Sequence, residues 1–172
     1  SDSRSHQRSR SALLRSLGAR PDFWRVAWPY SWPHTRLHAW LAERLAHDLS
    51  LKYYGVINIS FHRDDYAEKG MTALRTASTM TTHLPFDVND ATIILIDDVL
   101  YTGRSIRSAM DALLGFGRPA KIELCVLIDR KFNRENPVAP DYVGKTVDTR
   151  GHGQKVKVEW AEKNYKVWLI NE

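Results

Sequence analysis

The chain has 172 residues, of which 43% are hydrophobic and 26% charged, and it carries a formal net charge of +5 with a pI near 9.4. That length and composition suit one globular domain with a sizeable core. A single cysteine, Cys125, excludes an intramolecular disulfide framework and a cysteine-based zinc site. No apolar run reaches the length of a membrane-spanning helix, and the positive balance favours anionic partners.

In chain order, the first 25 residues hold six arginines against two aspartates and many serines, which reads as a basic tail. Residues 23–32 pack three tryptophans around prolines, and the pairs Trp28-Pro29 and Trp32-Pro33 argue against a central strand, because proline removes a ladder donor. Residues 1–35 therefore form a segment set apart, basic and rich in Trp and Pro, disordered or read in a shifted frame. The regular domain spans 36–172. Within it, Leu37, Trp40, Leu41, Leu45 and Leu49 recur at helical spacing, predicting an amphipathic helix over 36–49. Residues 54–61 read as a strand, and 62–89 as a long loop with few large apolar residues.

Residues 92–96 form a continuous apolar run, as expected of a strand buried on both faces of a parallel sheet. A helix is predicted over 105–114, with Ile106, Ala109, Met110 and Leu113 on one face; Gly115, Gly117 and Pro119 end it. Residues 122–128, where Cys125 reads as a small buried hydrophobe, form a second buried strand and complete a βαβ unit. A strand over 142–147 follows. A terminal hairpin pairs 155–160 with 165–170. The fold class is α/β.

The chemistry concentrates where the 92–96 strand meets the 105–114 helix. Ligands bind beyond the carboxyl ends of strands in open parallel sheets. There Asp97 and Asp98 are followed by a loop, Tyr101-Thr102-Gly103-Arg104-Ser105, that opens the helix. Backbone N–H groups and the helix dipole make such an opening an anion site. Carboxylates beside a phosphate cradle would be repulsive unless they accept hydrogen bonds from sugar hydroxyls, so the combination points to a sugar phosphate.

Residues 93–105, Ile-Ile-Leu-Ile-Asp-Asp-Val-Leu-Tyr-Thr-Gly-Arg-Ser, resemble the 5-phosphoribosyl-1-pyrophosphate (PRPP) motif of type I phosphoribosyltransferases. With Asp111-Ala112-Leu113, Gly117-Arg118-Pro119-Ala120, Arg63-Asp64-Asp65, Leu127-Ile128-Asp129-Arg130 and Asp141-Tyr142-Val143-Gly144-Lys145, the text from about Ala39 onward is similar to the branch of bifunctional pyrimidine operon regulators and uracil phosphoribosyltransferases. The resemblance implies a mostly parallel sheet flanked by helices, and transfer of phosphoribose from PRPP to uracil, yielding UMP and pyrophosphate. It implies Mg²⁺ held by PRPP oxygens and water, with no direct protein ligand. Asp97 and Asp98 would hold the ribose hydroxyls and act as the catalytic pair. The PRPP site would run through Ile96, Asp97, Asp98, Val99, Leu100, Tyr101, Thr102, Gly103, Arg104 and Ser105.

By the same resemblance, pyrophosphate would meet Thr35, Arg36 and Arg63; a surface ion pair for Arg63 with Asp64 or Asp65 fits the residues equally. The base would lie near Asp129, Arg130, Val143 and Gly144. A basic face including Arg150, His152, Lys155 and Lys157 would meet the leader of a pyrimidine operon message, although strand alternation alone accounts for the two lysines. A cytoplasmic homo-oligomer, dimer or tetramer, completes the implied picture, with a phosphoribosyltransferase for another base or a non-catalytic nucleotide-sensing regulator as the alternatives. The chain departs from the family at His34-Thr35-Arg36-Leu37-His38, where the pyrophosphate loop of relatives carries glycine after Thr-Arg. A shifted reading frame upstream of about Ala39 would leave such a break, and so would divergence.

Overall fold

The computed structural model describes residues 24–30, 35–59, 81–150, 153–161 and 164–171. In chain order these form β1 (Trp24–Tyr30), α1 (Thr35–Asp48), β2 (Tyr54–Asn58), β3 (Thr92–Leu100), α2 (Arg104–Leu114), β4 (Lys121–Lys131), β5 (Tyr142–Asp148), β6 (Gln154–Ala161) and β7 (Asn164–Asn171). Five strands make a wholly parallel sheet in the order β2-β1-β3-β4-β5, and β6 and β7 pair antiparallel as a separate ribbon. Ala161 faces Asn164 at the ribbon's turn, as the hairpin spacing predicts.

Burial on both faces explains why β3 and β4 read as unbroken apolar runs. On one face Ile94 and Ile96 pack with Leu41, Ala42 and Leu45 of α1 and with Val158 of β6. On the other, Ile93 and Leu95 pack with Ile106, Ala109, Ala112 and Leu113 of α2. Cys125 is buried at the centre of β4, and burial pushes its thiol up to about 12, consistent with a packing residue.

One expectation needs correction. Trp24–Tyr30 is an interior strand, paired on both sides, despite its proline. Val26 donates its N–H toward β2, to the Tyr53 carbonyl at 3.3 Å, and N–H direction alternates along a strand. The ring nitrogen of Pro29 therefore turns toward β3, where the β1–β3 ladder has already ended at Ala27 opposite Leu95. The ladder to β2 continues to Tyr30, so the missing donor costs no sheet hydrogen bond. α1 is the helix expected over 36–49: Leu41 and Leu45 are buried and Trp40 and Leu49 pack partly buried against the core, and the buried stripe also takes in His38, Ala42 and Ala46, so the helix turns a histidine into the core.

β3 also extends to Leu100, which places Asp97 and Asp98 inside the strand and still paired to β4 through Asp97 opposite Val126. β2 ends at Asn58, three residues before the predicted end. In the long loop, Thr82 Oγ1 accepts from the Asn58 N–H at 2.9 Å and His83 bridges Val56; residues 62–80 lie outside the described residues. Among the described residues no helix is long and apolar enough to cross a membrane.

Candidate active site at the carboxyl end of the third strand

The sheet brings Ile96 through Ser105 into one continuous turn from β3 into α2. Gly103 stands at the helix start with φ of 87°, a left-handed conformation that costs residues with a Cβ. A Cβ there would also sit 3.4 Å from Asn136 and Val138. Gly103 at the N-cap position has no side chain to offer α2, and the first turn holds no acidic residue, so no carboxylate there offsets the positive end of the helix dipole beside the loop. The Thr102 carbonyl accepts from the Glu135 and Asn136 N–H groups at 3.0 and 3.1 Å, and its hydroxyl accepts from the Arg104 N–H at 3.4 Å. Arg104 also pairs with Glu135 at 2.6 Å.

Both carboxylates are buried, Asp97 5% and Asp98 8% exposed. Neighbouring backbone N–H groups hold them: that of Asp98 donates to Asp97 Oδ1 at 3.0 Å, and that of Val99 to Asp98 Oδ1 at 2.7 Å. Against the pair stands His38, whose Nε2 lies 3.1 Å from Asp97 Oδ1 and 3.0 Å from Asp98 Oδ1. Its Nδ1 lies 3.1 Å from the Pro29 carbonyl, which points past the end of the β1–β3 ladder. Burial alone would push the His38 imidazolium to lower pKa, but the Asp98 charge and hydrogen bonds to both carboxylates outweigh it, leaving the pKa well above 6.5. Burial likewise holds Asp97 above the usual carboxylate range, with the hydrogen bond and charge of His38 acting against it.

His38 was not among the sequence candidates. The signal that finds it is its spacing of three, four and seven residues from Leu41, Ala42 and Leu45. Arg134 is a second residue that sequence reasoning passes over. Its Nη1 donates to the carbonyls of Leu100 (3.2 Å), Tyr101 (2.6 Å) and Arg130 (3.1 Å), its Nε to that of Val138 (3.1 Å), and its Nη2 pairs with buried Asp129. One guanidinium thus ties the end of β3 to β4 and to the segment packed on Gly103.

The base candidates are placed as follows. Asp129 is engaged by Arg134. Arg130 is buried, donating to Thr149 Oγ1 at 3.2 Å and the Gln154 carbonyl at 3.1 Å, with its guanidinium 3.9 Å over the Tyr101 ring. Val143 and Gly144 lie half-buried on the edge strand β5, Val143 opposite Val126. Thr35 and Arg36 open α1, and their side chains are outside the described residues, as are Arg63 and His152. Arg150 pairs with Asp148 at 2.8 Å and stacks on Phe132, Lys155 is exposed on β6, and Lys157 is paired with Glu159.

The chain has counterparts among known proteins. The phosphoribosyl transferase domain family matches residues 39–163. A Bifunctional protein PyrR of Ralstonia nicotianae is 51% identical over 109 residues, covering 63% of this chain and 60% of that protein; one of Listeria monocytogenes is 44% identical over 129 residues, covering 72% and 68%. The chain belongs to the phosphoribosyl transferase family, in its PyrR branch. It spans about 60% of the length of the Ralstonia relative. Solved structures share the fold: a hypoxanthine phosphoribosyltransferase of Staphylococcus aureus aligns with TM-score 0.56 at 13% identity over 87% of this chain and 77% of its own, and the Leishmania tarentolae HGPRT-ase in complex with GMP with TM-score 0.53 at 14% identity over 84% and 75%.

Proposed function

We propose that the chain transfers the phosphoribosyl group of PRPP to uracil, giving UMP and pyrophosphate. The observation that carries this reading is the start of α2, with a left-handed glycine and no acidic residue in its first turn, beside two buried carboxylates on one strand end, in a chain whose relatives are named bifunctional PyrR proteins. The backbone N–H groups from Thr102 to Ser105, with the Thr102 and Ser105 hydroxyls, hold the 5′-phosphate at the helix start. Asp97 and Asp98 take the ribose hydroxyls, for which His38 must yield its hydrogen bonds. Arg134 keeps the Leu100 and Tyr101 carbonyls in place and so sets the spacing between phosphate cradle and carboxylates. The base lies beside Tyr101 and Arg130 and against Val143-Gly144, while Thr35, Arg36 and Arg63 meet the pyrophosphate.

The bond from C1′ to pyrophosphate breaks as that from C1′ to the uracil nitrogen forms, and the nitrogen's proton leaves to solvent. Catalysis is positioning and charge balance, without a covalent nucleophile. The paired carboxylate oxygens suit a hard cation. Mg²⁺ brought by PRPP would fit against Asp97 and Asp98 and supply neutralisation of the departing pyrophosphate charge.

The word bifunctional in the relatives' names supports a second role, binding pyrimidine-leader RNA in the cytoplasm, with Lys155 and Arg150 on the face concerned. The exposed Trp168, Leu169 and Ile170 of β7 support a homo-oligomer. PRPP-dependent product formation with uracil, hypoxanthine and adenine tests the main reading: UMP is the expected product, and a purine preference overturns the choice of base. RNA binding that does not weaken with salt would contradict the second role.

A further inference from the structure

Tyr101 follows the last residue of β3, and its ring packs on β4. The register sets Leu100 opposite Asp129, so the next residues along the chain, Tyr101 and Arg130, meet at the carboxyl end of the sheet. The Arg130 guanidinium lies 3.9 Å from the centre of the Tyr101 ring. Arg130 is itself fixed: it is 8% exposed and donates to Thr149 Oγ1 at 3.2 Å and to the Gln154 carbonyl at 3.1 Å. A desolvated guanidinium over a ring face holds that ring through its quadrupole. The Tyr101 backbone is tied as well, its carbonyl accepting from Arg134 Nη1 at 2.6 Å. One face of the ring is thus covered, yet Tyr101 remains 43% exposed. We infer that Tyr101 is a base-binding residue, an anchored platform on which the acceptor base lies flat.

The inference rests on the reading of this turn as the PRPP site, and it assigns Tyr101 to the base where the resemblance set it in the phosphate cradle. Two chemistries separate at consecutive residues. From Thr102 onward the turn offers backbone N–H groups and hydroxyls at a helix start, which suit an anion. Tyr101 offers a π-face, which is negative at its centre, repels a phosphate and suits the flat, electron-poor ring of a base. Ligands of open parallel sheets bind beyond the carboxyl ends of the strands, and the ring stands there beside the turn. Stacking of this kind accepts any base, so Tyr101 supplies affinity and ring orientation, while the choice among bases falls to hydrogen-bonding groups.

The test uses the full chain and two ligands that share sugar and phosphate, UMP and ribose 5-phosphate. Calorimetry on the parent should show both bound, UMP the more tightly. Tyr101→Ala, checked for folding by circular dichroism, should lose about 5- to 150-fold in UMP affinity, the range for removing an aromatic ring from under a base. Its ribose 5-phosphate affinity should stay at the parent value. Tyr101→Phe, which keeps the ring and its contact with Arg130, should restore UMP binding, and Tyr101→Leu, of similar bulk but without a π-face, should not. Unchanged UMP affinity in Tyr101→Ala, or full rescue by leucine, overturns the inference and leaves the functional reading standing. An equal loss for both ligands returns the side chain to the phosphate cradle and overturns it too. Binding of neither ligand by the parent overturns the functional reading, and this inference with it.

Discussion

Two regions of one sheet edge are built in opposite ways. From β3 into α2 the phosphate-side turn is local: an apolar strand, two acids, a left-handed glycine and a helix start follow one another along thirteen residues. The contact of β1 and α1 on the same carboxylates is long-range, joining His38 to Asp98 across sixty positions and to Pro29 across nine. Local construction leaves a pattern that can be read in one dimension. Tertiary construction leaves isolated residues whose meaning depends on which way a strand or helix face turns.

That comparison can be broken at several points. The largest effect is expected at the shared carboxylates: Asp97→Asn or Asp98→Asn should lower PRPP-dependent UMP formation by at least about a hundredfold, because donors and acceptors aimed at the reacting group contribute on that scale. Steady-state rates check it, and unchanged rates in both would remove the acidic pair from the account. Next is Arg134→Met, which strips the cation from buried Asp129 and a donor from four carbonyls. Stability should fall by about 3 kcal/mol, read as the denaturant midpoint. A neutral effect would mean the guanidinium is not what ties the turn to β4.

Gly103→Ala should cost about 1–2 kcal/mol through its left-handed backbone, lowering Tm by roughly 2–4 °C for each kcal/mol, and should weaken PRPP binding together with it. The smallest effect sharpens the long-range side. His38 in the folded chain holds its proton above 6.5, and buried Asp97 also holds its proton more tightly than when unfolded. Their stabilisation is full at pH below the unfolded values and is lost as pH rises through the folded ones. Thermal melts in chelator should therefore show parent stability declining from neutral to alkaline pH more steeply than in His38→Gln. Parallel profiles would show that the triad holds no shifted proton.

The same division explains what was legible beforehand. β3, α2, β4 and the turn between them follow from apolar runs, glycine stops and the order of acids and hydroxyls, and the parallel sheet follows from strands without alternation. β1 was hidden because Trp28-Pro29 violates a rule for sheet interiors. The rule holds, but Pro29 lies past the end of one ladder, a register fact absent from local text. His38 was hidden because a histidine beside apolar Leu41, Ala42 and Leu45 carries no mark of its own in the sequence, and only the packed helix shows it buried against the carboxylates. Arg134 sits in a polar loop where composition carries no direction; its role comes from carbonyls at positions 100, 101, 130 and 138 meeting in space. The base candidates Asp129 and Arg130 were picked out by resemblance, and the fold adds that their side chains are engaged with Arg134, Thr149 and Tyr101.

The central claim is that the turn from β3 into α2 is a PRPP site. Calorimetric titration of PRPP with Mg²⁺ into the parent chain and Asp98→Asn tests it most directly. One saturable site in the parent, weakened at least about tenfold in the variant, is the predicted result. No saturable binding by the parent, or equal affinity in both, would contradict it.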